Sequence, residues 1–259
     1  MAALPFNATE HIRIDGEQLV DAILRAGLDT PVPSCEGWTM GDLAWHIGET
    51  WEFWMTVVKD GITDVEVLKQ LPDLDRPADD DLVDFAVASH TGLLSALTDT
   101  PPDTEVWTWT GANRDAAWVR RRMAHETAVH RWDAEAAVGD PYRVPIAMAA
   151  DGIEEFLQYF SWRGRDEPLG GTVHLHCTDT DRDVNTGSDD ISAVGGEWII
   201  HRLDPDGIDF DHAHAKGDTA IRGEANDLLL WLWGRDAGPV EILGDTAVAE
   251  QFRAGSLLN

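Results

Sequence analysis

Apolar positions recur at near-helical spacing through the first half of the chain and give way to short β-rich runs in the second. Over residues 9–27, Ile12, Leu19, Ile23 and Leu24 fall near one helical stripe, with Thr9 as the capping residue. The tract DTPVPSCEGW, with two prolines and a glycine, breaks this pattern. Thr39 followed by Asp42 three residues on marks a second helix start. That helix is predicted to run to about Lys59, with Leu43, His46, Ile47, Thr50 and Trp54 along one stripe. A third, over 79–98, opens in the acidic run Asp79–Asp81, which suits the positive end of a helix dipole. A fourth, over 115–138, stops at Gly139 and Pro141. Four helices of about 18–24 residues predict a four-helix bundle, an architecture that often holds metal sites in its core. The order of connection stays open.

After a further helix over 145–163, the segments GTVHLHCTD, EWIIHRL and GIDFDHAHA read as short strands between Gly, Asp and Pro. A strand (TAIRG), an apolar helix (EANDLLLWLWGR), a strand (PVEIL) and a last helix (TAVAEQFRA) follow. This is an α+β pattern. The expected organisation is a helical bundle over residues 1–163 and a smaller α+β domain over 164–259.

Charge removes whole classes of partner. Of the 259 residues, 48 are acidic and 19 basic, a formal net charge of −29. Such a chain lacks the basic footprint that nucleic acids or anionic membranes require. No apolar run approaches the roughly 18 residues of a membrane span. The opening MAALPFNATEHIR has neither the charged nor the apolar region of an export signal, and two cysteines make no disulfide framework. The expectation is a cytoplasmic protein, monomeric or dimeric. One segment runs against the charge: Arg114, Arg120, Arg121, Arg122 and Arg131 lie within eighteen residues.

That segment contains the most informative string, RRMAHETAVHRWDAE, residues 121–135. A zinc-protease motif needs two histidines four apart on one helix face. His125 and His130 are five apart, roughly 140° around the helix, so they cannot serve one ion. Glu126 and His130, at i and i+4, are only about 40° apart. A histidine from a neighbouring antiparallel helix would complete the two-His, one-Glu set of a catalytic zinc site. His46, on an inward stripe, is the best candidate. Asp133, three residues after His130, can orient it. Against this stands the plainer reading of an intrahelical Arg122–Glu126 ion pair. Met123, Thr127, Ala134 and Ala137 share the face and imply burial, and a buried carboxylate needs a partner or a cation.

PVPSCEGWTMGDLAWHIGE followed by RRMAHETAVHRWDAE resembles the mycothiol-dependent maleylpyruvate isomerase family of the DinB-like metalloenzyme superfamily. Glu36 stands where that family usually has proline. The region from GTVHLHCTD onward, including IRGEANDLLLWLWGR, resembles its sterol-carrier-protein-like C-terminal domain. The resemblance places the metal ligands on His46, Glu126 and His130. It implies Zn²⁺ or another divalent metal, mycothiol as a low-molecular-weight thiol, and a small electrophile, anionic or neutral, as substrate. A zinc ion with an open position can stabilise a thiolate at neutral pH. The thiolate then adds to a cis double bond, allows rotation and leaves, or stays attached in S-transfer. The implied activity is therefore an isomerase or a transferase. Arg122 and Asp133 are candidates for holding the thiol, and Arg235, with Arg222 second, for a C-terminal arginine that faces the substrate. Cys35 reads as a structural or bystander thiol. The alternatives are a non-catalytic binder of small ligands and a metal-dependent hydrolase.

The pairs His174/His176 and His212/His214 each share a strand face. With His201 they suggest a second metal site, but exposed strand histidines are the favoured account. No nucleotide-binding glycine loop is present.

Overall fold

The structure is a computed structural model and describes residues 4–111, 113–161, 168–180, 195–204 and 207–256. It divides between Arg143 and Val144 into two compact units.

The first unit is helical. Helix α1 (Ala8–Ala26) is capped by Asn7, whose side chain accepts from the Glu10 amide at 3.2 Å. The cap is thus two residues before the expected Thr9, because Asn7 is extended and reaches the free amide first. Ile12, Leu19 and Ile23 are buried, but Leu24 is 62% exposed. Leu24 sits about 120° from Ile12 around the helix and so falls off the stripe.

Helix α2 (Met40–Lys59) opens as expected, with Thr39 and Asp42 forming a reciprocal capping box. A one-turn helix, α3 (Val65–Leu68), is an addition that the pattern did not predict. Helix α4 (Asp79–Asp99) begins in the acidic run, and α5 (Ala116–Ala137) begins at an Asp115 cap.

Helices α1 and α2 each pack against both α4 and α5, which makes the four long helices a bundle. Its centre holds the fully buried Trp51, Trp118, Leu19, Leu43, Ile47 and Leu82. Burying such side chains contributes about 1.5–3 kcal/mol each. Arg131 ties α5 to α1 through Asp15 at 2.8 Å, and its guanidinium lies 3.8 Å over the Tyr142 ring. The consequence for chemistry is that α2 and α5 face each other, bringing His46 opposite Glu126 and His130.

The second unit is α+β. It contains α6 (Ile146–Tyr159), β1 (Val173–Cys177), β2 (Glu197–Asp204), β3 (Gly207–Asp211), β4 (Thr219–Gly223), α7 (Ala225–Leu232), β5 (Glu241–Gly244) and α8 (Thr246–Ser256). The sheet order is β3-β2-β1-β4-β5, with β1–β4 parallel and the other pairs antiparallel. Val173, Leu175, Cys177, Trp198, Ile200 and Ile221 are buried, on the sheet face that α7 and α8 approach through β4. Alternation therefore sends His174, His176 and Glu197 to the opposite face.

Helix α6 packs on α7, and the Val144 amide donates to Asn226 Oδ1 at 2.8 Å, so the helix before the expected 163/164 boundary lies with the second unit. The boundary residues themselves are outside the described set. Among the described residues, no helix is long and apolar enough to cross a membrane.

Candidate metal centre

His46 on α2 and Glu126 and His130 on α5 converge. Both imidazole Nε2 atoms lie 3.3 Å from Glu126 Oε1, and the rings are 4.9 Å apart, edge to face. Their donor atoms lie within 4.8 Å of one another. In a tetrahedral zinc site, ligand bonds of about 2.0–2.1 Å leave donors roughly 3.3 Å apart. The two edges at Glu126 match that spacing, and the donor types suit a divalent metal. The His46 side chain is 35% exposed against 10% for His130, which leaves the cluster open on the His46 side.

The surrounding groups fix each ligand. Glu126 Oε2 accepts from Arg122, which is buried. Burial alone would push the Glu126 carboxyl up. Arg122, followed by hydrogen bonds with His130 and His46, outweighs it and holds the group well below the usual carboxylate range. His130 Nδ1 is 2.9 Å from Oδ2 of the fully buried Asp133. Burial disfavours its charge, yet Asp133 and Glu126 prevail and raise the imidazole to about 9. Asp133 thus commits Nδ1 and turns Nε2 toward Glu126, the arrangement by which carboxylates orient histidine ligands. The Trp38 ring lies 5.0 Å from His46 and stacks at 6.4 Å on His130, walling the cluster from the loop before α2. Cys35, in the same loop, donates to Asp133 Oδ2 at 3.6 Å.

The metal-ligand candidates and Asp133 are thus brought together. His125, rejected for the zinc-protease reading, packs instead edge-on to Phe6 at 5.5 Å. The arginines of the 114–131 segment reach several separate partners. Arg114 reaches Thr63 O, Arg120 the Leu97 and Thr100 carbonyls, Arg122 Glu126, and Arg131 Asp15 and Glu135. On α5, Arg122 lies about 160° from Arg120, whereas Arg131 shares the side of Arg120 about three turns further along. Arg122 acts on the cluster through Glu126.

Arg235 closes α7, with its Nη1 donating to Trp233 O at 2.7 Å, and Arg222 on β4 is 3.4 Å from Glu241. Both belong to the second unit. Trp38 is a residue of the cluster that the helical patterns do not single out. Its contacts depend on the loop's path, and the Trp in that breaker tract was the only available signal.

A helical bundle with two histidines and a glutamate converging from facing helices, followed by an α+β unit on a mixed five-stranded sheet, defines the class of protein. Residues 9–135 match the Mycothiol maleylpyruvate isomerase N-terminal domain and residues 147–251 the MDMPI C-terminal domain. The chain belongs to the mycothiol-dependent maleylpyruvate isomerase family.

Two solved structures share the fold, each over 91% of this chain and 91% of the other. One is a histidine-to-alanine mutant of the mycothiol-dependent maleylpyruvate isomerase, with TM-score 0.61 and 13% identity. The other is the mycothiol-dependent maleylpyruvate isomerase, with TM-score 0.58 and 16% identity. No curated protein matches the chain.

Proposed function

We propose that this chain is a zinc-dependent, cytoplasmic enzyme that uses mycothiol to isomerise a small cis-unsaturated electrophile of the maleylpyruvate type. The observation that carries the metal assignment is the donor triangle of His46, Glu126 and His130, with edges of 3.3 Å at the shared carboxylate oxygen. Family membership supports the thiol and the reaction class.

When bound there, a divalent metal supplies a Lewis-acid position that lowers the pKa of a thiol. The protein's own residues prepare that position. Asp133 fixes the His130 tautomer, Arg122 holds the Glu126 carboxylate ionised, and Trp38 limits water beside both rings. The nucleophile belongs to the thiol, so no protein cysteine is needed. A thiol held at that position would supply a thiolate able to add to the activated double bond, and after rotation about the resulting single bond its elimination would give the trans isomer and the same thiolate. Retention of the adduct would make the same chemistry an S-transfer. Asp133 and Arg122 support the thiol's position through the ligands they hold. Arg235, with Arg222 second, is assigned to the substrate's anionic end.

His46→Ala separates these elements. His46 is partly exposed, so its truncation removes a ligand without opening the core. The variant should lose the one zinc equivalent that depends on His46, together with thiol-dependent cis–trans conversion of a maleylpyruvate-type substrate, followed by ultraviolet absorbance. Unchanged zinc content sinks the metal assignment, and activity that persists without thiol sinks the thiol mechanism. Mass spectrometry of the thiol distinguishes turnover from adduct formation.

A further inference from the structure

The sheet of the second unit carries a histidine cluster that the proposed chemistry does not use. His174 and His176 on β1, Glu197 on β2 and His214 in the segment after β3 present donor atoms within 4.8 Å of one another. Glu197 pairs in register with His176 across the β1–β2 ladder, and His174 lies two residues along on the same face. Glu197 Oε2 lies 2.9 Å from His174 Nε2 and 2.6 Å from His214 Nδ1, and Oε1 lies 3.6 Å from His176 Nε2. The three rings are 5.3–5.9 Å apart. His212 and His201, which the sequence pattern grouped with them, turn instead to Glu154 and Asp211. The expectation of exposed strand histidines fails for His174, which is 6% exposed.

We infer that His174, His176, Glu197 and His214 form a second, closed binding site for a divalent transition metal of the zinc class. Three imidazoles around one carboxylate are poorly explained as an ion pair, since a single negative charge balances a single imidazolium. They make a suitable nitrogen-rich donor set for zinc, and the separations of 2.6–3.6 Å to the carboxylate bracket the roughly 3.3 Å edge of a tetrahedral site. Four protein donors leave no position for a substrate, so the role is structural.

The element gained is the segment 212–218. At its far end Asp218 and Thr172 exchange hydrogen bonds of 2.8–2.9 Å. Gly217 runs so close to β1 that a methyl there would meet Thr219 O at 2.7 Å and His174 N at 3.0 Å. A metal on His214 would fasten the near end of the same segment. The neighbouring cation, Arg222, is in register with His176 and has its Nη1 3.4 Å from Glu241 Oε2, so its charge is partly balanced away from the cluster.

The test uses the full chain, stripped by chelator and titrated with Zn²⁺ alone, with Co²⁺ absorption reporting coordination. The His46→Ala chain should keep about one high-affinity equivalent with a tetrahedral Co²⁺ band, and His214→Ala or His176→Ala added to it should weaken that binding by on the order of 100-fold. The His214 side chain is 77% exposed, so its loss leaves the fold intact, as circular dichroism would verify. Converse variants keep the two assignments separate, because His214→Ala alone should leave the His46-dependent equivalent and thiol-dependent activity unchanged. The inference is overturned if zinc binding in the His46→Ala chain is absent, or is the same with and without His176 and His214.

Discussion

Gly16→Ala should destabilise the bundle even though alanine is the better helix former. Gly16 lies inside α1 where His90 of α4 crosses it. A methyl at this position would meet His90 Cδ2 at 2.6 Å and Cε1 at 2.8 Å. His90 has little room to withdraw: it is 6% exposed, its Nε2 donates to Ile12 O at 2.9 Å, and its ring is 4.8 Å from that of Trp51. Replacing helical glycine by alanine gains about 0.5–1 kcal/mol. Overpacking costs about 1–3 kcal/mol. Displacing the ring also leaves a buried donor unmet, at about 1–3 kcal/mol. The steric and hydrogen-bond costs win, for a net loss of roughly 1–5 kcal/mol. In a His90→Ala background the methyl enters vacated space, and the same substitution should become stabilising by up to about 1 kcal/mol. Urea unfolding of the four chains, followed by tryptophan fluorescence, reads both signs. A Gly16→Ala chain at least as stable as its parent, or an equal effect in both backgrounds, would refute the reasoning.

Asp133→Asn should weaken zinc binding about 10–100-fold through the loss of His130 orientation; competition against a chromophoric chelator at fixed pH measures it, and an unchanged Kd contradicts the role. Burial holds His90 below the ordinary histidine value despite its bond to Ile12, so the folded chain resists protonation there. Its share of stability is present above about pH 6.5 and is lost as pH falls from there through the lowered folded value. His90→Gln should therefore flatten the acid limb of a stability-against-pH curve, and a parallel limb counts against the assignment. Burial pushes the Cys177 thiol up, whereas Cys35 is partly exposed. An aromatic disulfide reagent should thus modify Cys35 first in the native chain and reach Cys177 only on unfolding; equal native rates would be inconsistent with that burial.

What the sequence made legible was what local spacing determines. The Thr39–Asp42 box, the acidic start of α4 and the inward placement of His46 each need only one helix to be read. The i,i+4 spacing of Glu126 and His130 likewise requires only 3.6 residues per turn, and one facing helix then brings in His46. The second histidine cluster illustrates the opposite case. His174 and His176 were visible as a strand pair, but Glu197 joins them only through the β1–β2 register, and His214 only through the path of the segment after β3. No single-strand periodicity encodes either fact, which is why the grouping with His201 and His212 went astray.

The arginine segment is a related case. Clustering along a helix gives side chains no common partner: Arg122 lies about 160° from Arg120 around α5, and although Arg131 returns to within about 20° of Arg120 it is about three turns further along, so each engages a different group. Sequence density of charge therefore said little about a common surface. The net charge of −29 is equally uninformative at the two histidine clusters, because each is organised around a single carboxylate oxygen or carboxylate group held by neighbouring imidazoles. Local donor geometry, rather than the field of the whole chain screened within roughly 8–10 Å, is the quantity that selects a cation there.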